Sequence, residues 1–75
     1  MTADTGVINA SGVRLRKDPG LSGTILASLP KGLQVEVGSG STEADGYTWL
    51  YVIAILNGKT YSGYVASIYV DILEA

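Results

Sequence analysis

Apolar and polar residues alternate in short runs along this chain, and no segment of ten residues carries convincing helical periodicity. Side chains that alternate with a period of two belong to half-buried strands. The first run, Val7 to Arg16, shows this at Val13 and Leu15, which are separated by Arg14 and followed by Arg16. Ile25 to Leu29 is a second short strand, and Leu33 to Val37 a third, with Leu33, Val35 and Val37 on one face and Gln34 and Glu36 on the other. Thr48 to Leu56 is rich in β-branched and aromatic residues and is the most strand-like run of all. Lys59 to Val65 returns antiparallel to it, Ala66 to Tyr69 suits one turn of 3₁₀ helix, and Val70 to Leu73 can add an edge strand.

The breaks between runs have their own chemistry. In Lys17-Asp18-Pro19-Gly20, Pro19 fixes φ at the first central position of a turn and Gly20 tolerates positive φ at the second. Pro30-Lys31-Gly32 closes the next strand, and Asn57-Gly58 is the strongest hairpin signal in the chain. Gly38 to Gly46 is the longest polar stretch and reads as a mobile surface loop. The pattern predicts an all-β fold, a closed or nearly closed barrel of five to seven short antiparallel strands. Closure matters because exposed strand edges invite aggregation in so small a domain. An OB-like barrel is the alternative, but it needs longer strands and a helix. Val13, Leu15, Ile25, Leu29, Val35, Val37, Leu50, Val52 and Val65 are expected to form the core.

Composition narrows the function. Seventy-five residues make one domain, and 47% hydrophobic content excludes a disordered chain. Met1 to Thr5 read as a linker and residues 6–73 as the domain, with the chain expected to be a fragment of a larger protein. Five Lys and Arg stand against seven Asp and Glu, so the basic excess of nucleic-acid binders is missing. No apolar run reaches the ~20 residues of a membrane span. Without His or Cys, no Ser-His or Cys-His triad and no Cys-ligated zinc can form within this chain. Scattered carboxylates suggest neither a calcium loop nor a catalytic pair. Gly38-Ser39-Gly40 lacks the Gly-Lys-Ser/Thr of a phosphate loop. The expectation is therefore a domain with no catalytic residues, no metal and no cofactor.

The informative side chains are Trp49 and five tyrosines. An aromatic ring can cover the apolar face of a sugar or peptide and still offer a polar handle. Leu50, Val52 and Ala54 share one face of their strand, and this aliphatic face is the expected core, leaving Trp49 and Tyr51 partly outside. Trp49 is either a covering residue, a ligand contact or core. Tyr64 is expected to pack; Tyr61 and Tyr69 could do either. Arg16 and Lys17 could meet a carboxylate, although Arg16 is expected rather to hold its own loop through a hydrogen bond or salt bridge. The candidate ligand residues are thus Trp49, Tyr51, Arg16, Lys17, Tyr61 and Tyr69.

The ordered set of motifs resembles the bacterial SH3 domain, the SH3b type. It runs Val13-Arg14-Leu15-Arg16-Lys17-Asp18-Pro19-Gly20, then Ile25 to Leu29 with Pro30-Lys31-Gly32, then Val35 and Val37. It continues with Trp49-Leu50-Tyr51-Val52, Asn57-Gly58-Lys59-Thr60, Gly63-Tyr64-Val65 and Ser67-Ile68-Tyr69-Val70. Asp18 departs from the glycine frequent there, and the Gly38 to Gly46 loop and the Val52 to Leu56 strand look longer than usual. The resemblance implies a small SH3-like barrel in a secreted bacterial cell-envelope protein, outside the cell; a monomer is expected. In SH3-like barrels the first long loop and the next hairpin loop lie side by side. The resemblance therefore places any ligand surface on the rim formed by the Lys17 to Thr24 loop, the Gly38 to Gly46 loop and the aromatics Trp49 and Tyr51, with Arg16 and Lys17 available for a carboxylate, away from Asn57 and Gly58. Its implied role is to target a wall protein or hydrolase to peptidoglycan or its peptide stem. Packing on an adjacent catalytic domain of the same chain, or acting as a peptide-binding adaptor, are the alternatives. The acidic loop and Tyr-rich groove with which eukaryotic SH3 domains bind Pro-rich peptides are not recognisable in the sequence.

Overall fold

The computed structural model describes residues 4–38 and 40–73. Eight strands and one 3₁₀ turn follow one another: β1 (Asp4–Ile8), β2 (Val13–Arg16), β3 (Ile25–Leu29), β4 (Gln34–Val37), β5 (Thr42–Ala44), β6 (Tyr47–Leu56), β7 (Lys59–Ala66), the turn Ser67–Tyr69, and β8 (Val70–Leu73). The spatial order is β3-β2-β7-β6-β4-β1-β8, with β5 added to the edge of β6, and all pairings are antiparallel. The architecture is the all-β barrel expected from the pattern, in the SH3-like form that the resemblance implies, with eight strands rather than five to seven.

The two extra elements have local causes. The run Val7 to Arg16 is two strands, because Gly12 takes φ +71° and turns the chain between them. Within the stretch expected to be one mobile loop, Thr42, Glu43 and Ala44 pair with Trp49, Thr48 and Tyr47. Asp45 and Gly46 close that hairpin with φ +53° and +80°, the sign required by a type I′ turn, and Asn57-Gly58 repeats the device at the other end of β6. Asp4 and Thr5, expected to be linker, pair with Val37 and Glu36 in β1. Met1 to Ala3 lie outside the described residues.

The core contains Ile8, Val13, Leu15, Leu29, Val35, Val37, Val52, Ala54, Val65 and Val70. Seven of the nine expected core residues are there, and Leu50 packs against them half-buried. Ile25 is the exception, at 44% exposure. In β2 and β3, Leu15 faces Ala27 but Arg16 faces Ile25, so Leu26 is a bulge residue. One extra residue moves every later side chain to the opposite face, and Ile25 therefore shares the outer face with Arg16.

Glycine makes the tightest strand crossing possible. A Cβ on Gly63 would collide with the carbonyl oxygen of Arg16. That close approach lets β2 pair with β7 through Arg16 and Tyr64. Beyond this contact the two strands have no further paired residues, and the outer surface opens into a groove.

Candidate functional site

The groove encloses about 200 Å³ and is lined by residues of β2, the loop after it, β6, β7 and the 3₁₀ turn. That volume accepts one or two residues of a ligand rather than a drug-sized molecule. Register explains the lining. Trp49 faces Ala66 across β6 and β7, on the face opposite the core. Ala66 has too little side chain to fill the space beside the indole, so the pair makes a floor. Tyr47 and Tyr69, each 39% exposed, stand on the walls with Leu21 and Arg14.

Trp49 is only 2% exposed, which corrects the expectation that it stands partly outside the fold. Its indole N–H donates to the Ala44 carbonyl oxygen at 2.9 Å, and the Tyr47 ring meets it edge-on at 6.1 Å. The period-two argument placed Trp49 on the outer face correctly. It could not show that the β5–β6 hairpin and the neighbouring loop would enclose that face.

The loop from Lys17 to Thr24 is held at several points. Lys17 N–H donates to the Thr24 carbonyl at 2.8 Å, and the Arg16 guanidinium donates to the carbonyls of Leu21 and Gly23, both at 2.9 Å. The Leu21 N–H reaches across to an Asp45 carboxylate oxygen at 2.7 Å. Gly20 sits under the same carboxylate: its φ is +113°, and a Cβ there would come within 2.8 Å of Asp45 Oδ2. The 3₁₀ turn is fixed from the other side. Asn9 donates its backbone N–H to the Tyr69 carbonyl and its side-chain amide to the Ile68 carbonyl and the Asp71 carboxylate.

The six residues singled out from sequence are thereby distributed. Arg16, Trp49 and Tyr69 meet in the groove. Tyr51 faces Tyr64 across β6 and β7, the rings edge-to-face at 5.3 Å, in a shallow neighbouring depression with Gly40, Ser41 and Thr42. Trp49 borders both hollows. Tyr61 lies opposite Ala54 and packs half-buried against the core, which separates it from both hollows. Lys17 is exposed on the loop and does not line the groove. Sequence reasoning missed Arg14, Leu21 and Tyr47. The Asp45-Gly46 dipeptide was the available signal for Tyr47, since it marks a hairpin that throws Tyr47 beside Trp49.

The lining carries aromatic faces and two guanidinium groups, and no carboxylate, thiol or imidazole. It suits contact with an apolar or anionic ligand and supplies no ordinary general acid–base pair. Among the described residues, no cluster of three or more potential ligands could hold a metal ion.

A β-barrel with a small aromatic groove, floored by strands and walled by a stapled loop, is the architecture of a small binding module. The chain belongs to the bacterial SH3 domain family, whose profile matches residues 11–71. No curated protein and no solved structure gives a significant match. Membership supports a general role in binding rather than catalysis.

Proposed function

We propose that this domain is a non-catalytic targeting module that holds a secreted bacterial protein on peptidoglycan by binding the peptide stem in the Trp49–Ala66 groove. The observation that carries the reading is the groove itself: a preformed aromatic hollow on a scaffold of the bacterial SH3 family. Its small volume favours an extended peptide that presents one or two residues at a time. The neighbouring Tyr51–Tyr64 pair offers a second flat surface for the next residue or an attached sugar ring. In this reading the domain works outside the cell as a monomer, alongside a catalytic domain of the same chain. Single contacts of this size bind weakly, and attachment to a second wall-binding domain raises the effective affinity.

Co-sedimentation of the domain with purified sacculi, with amide-shift mapping against soluble wall fragments, tests the reading. Retention on sacculi with shifts at Gly12, Leu21, Tyr47 and Tyr69 is expected. Shifts confined to Asn57 and Gly58, or no shifts at millimolar fragment, overturn it.

A second reading has its own observation. Ile53 and Ile55 lie on the outer face of β6, and Ile55 is 64% exposed. Such a pair suits packing against a neighbouring domain, which would shape that domain's cleft.

A further inference from the structure

The two arginines of β2 look equivalent in sequence, since both alternate with the core residues Val13 and Leu15. Their bonding separates them. Arg16 is committed to its own loop by two donated hydrogen bonds. Arg14 is exposed, its cross-strand neighbour on β3 is the uncharged Ser28, and no acidic side chain joins it in the lining of the groove. Arg14, Arg16 and Lys17 are three of the five cationic side chains in a chain of net charge −2. Of these, Arg14 and Arg16 line the groove and Lys17 does not; the neighbouring carboxylate of Asp45 is already bonded to the Leu21 N–H on the loop wall. A guanidinium stays protonated at any working pH and presents a planar fork of donors that matches a carboxylate.

We propose that Arg14 is a specificity-determining residue, which reads a free carboxylate on the peptide occupying the groove. The inference rests on the peptide-binding reading above and adds the chemical group recognised. The ligand lays its apolar part over Trp49 and Ala66, between Tyr47 and Tyr69, and turns its carboxylate to Arg14. Arg16 shapes the wall without being the reader. A peptide whose carboxylates are amidated fits the same hollow but leaves the guanidinium without its partner.

The test uses soluble peptidoglycan fragments in two forms, native and with their carboxylates converted to amides. Each is titrated into the wild-type domain and into Arg14→Gln, and groove amide shifts are followed. Amidation is expected to weaken binding roughly tenfold or more, the scale of a hydrogen-bonded charge. Arg14→Gln is expected to weaken binding of native fragments by a similar factor and to make the two forms nearly equal. Arg14 is exposed on its strand, so the variant should keep the wild-type spectrum elsewhere. The amidated ligand tests the same contact without any substitution. Equal affinity of wild type for both forms, or undiminished binding by a folded Arg14→Gln domain, overturns the carboxylate contact while leaving groove binding intact. Absence of groove shifts with native fragments in the wild type overturns the peptide reading and this contact with it.

Discussion

The backbone N–H of Leu21 donates to a carboxylate oxygen of Asp45 at 2.7 Å, joining two loops that lie 24 residues apart in sequence. Leu21 lines the groove, and the residues on either side of the Asp45-Gly46 turn serve it too. Ala44 holds the Trp49 indole, and Tyr47 forms a wall. One carboxylate thus ties the loop that carries Leu21 to the hairpin that carries Tyr47 and Trp49.

Replacing Asp45 should loosen that wall. Asp45→Asn keeps an oxygen acceptor and a residue tolerant of positive φ, so it should cost only a few tenths of a kcal/mol. Asp45→Ala loses both and should cost roughly 1–2 kcal/mol. Chemical denaturation measures the difference, and equal stability of the two variants would show that the staple contributes nothing.

Trp49→Phe keeps an aromatic ring on the groove floor but removes the donor to Ala44. It should lower stability by about 1–2 kcal/mol, while Trp49→Ala should cost about 3–5 kcal/mol and leave the domain largely unfolded. Thermal melts followed by far-ultraviolet circular dichroism discriminate these outcomes. Melting of Trp49→Ala at the wild-type temperature would contradict the burial of the indole.

Val52 is fully buried in the core, whereas Ile55, three residues along the same strand, is 64% exposed. Val52→Ala should cost about 2–3 kcal/mol through lost methyl burial and a residual cavity. Ile55→Ala should stay within about 0.5 kcal/mol of wild type. Urea titrations that rank the two in the opposite order would refute the assigned faces of β6.

Gly63→Ala should be among the most damaging single-methyl additions available. The new carbon meets the backbone of Arg16, which cannot rotate away as a side chain could. Roughly 2 kcal/mol or more should be lost, with β2 displaced from β7. Gly58→Ala meets open space and bears only the strain of φ +80°, so it should cost nearer 1 kcal/mol. Paired melting curves settle the comparison.

Much of the fold was legible in the sequence because β-strand alternation is a local property. Val13, Leu15, Val35, Val37, Val52 and Val65 declared their faces through their immediate neighbours, and Asn57-Gly58 declared its hairpin. Ile25 did not, because the bulge at Leu26 arises from pairing with β2 and leaves no mark in the strand itself. Ile8 and Val70 were missed for a related reason: they face one another in the register between the first and last strands, 62 residues apart. The groove was less legible than the barrel. Trp49, Ala66 and Tyr69 become neighbours only once β6 and β7 pair. Arg14 and Arg16 differ in loop hydrogen bonds that period-two reasoning cannot see.

The pairing of β1 with β8 has a topological consequence. Thr5 stands opposite Leu73, so the polypeptide enters and leaves the barrel at neighbouring points. The domain can be spliced into a surface loop of another protein without prising that loop apart. The same adjacency permits a rewired chain, with a short Gly-Ser bridge from Leu73 to Asp4 and new ends at Asn57-Gly58. Such a circular permutant should fold to the same barrel, with a spectrum matching the parent's away from the new termini. Failure to fold would show that the β6–β7 connection, rather than the pairing of β1 with β8, is what the barrel cannot do without.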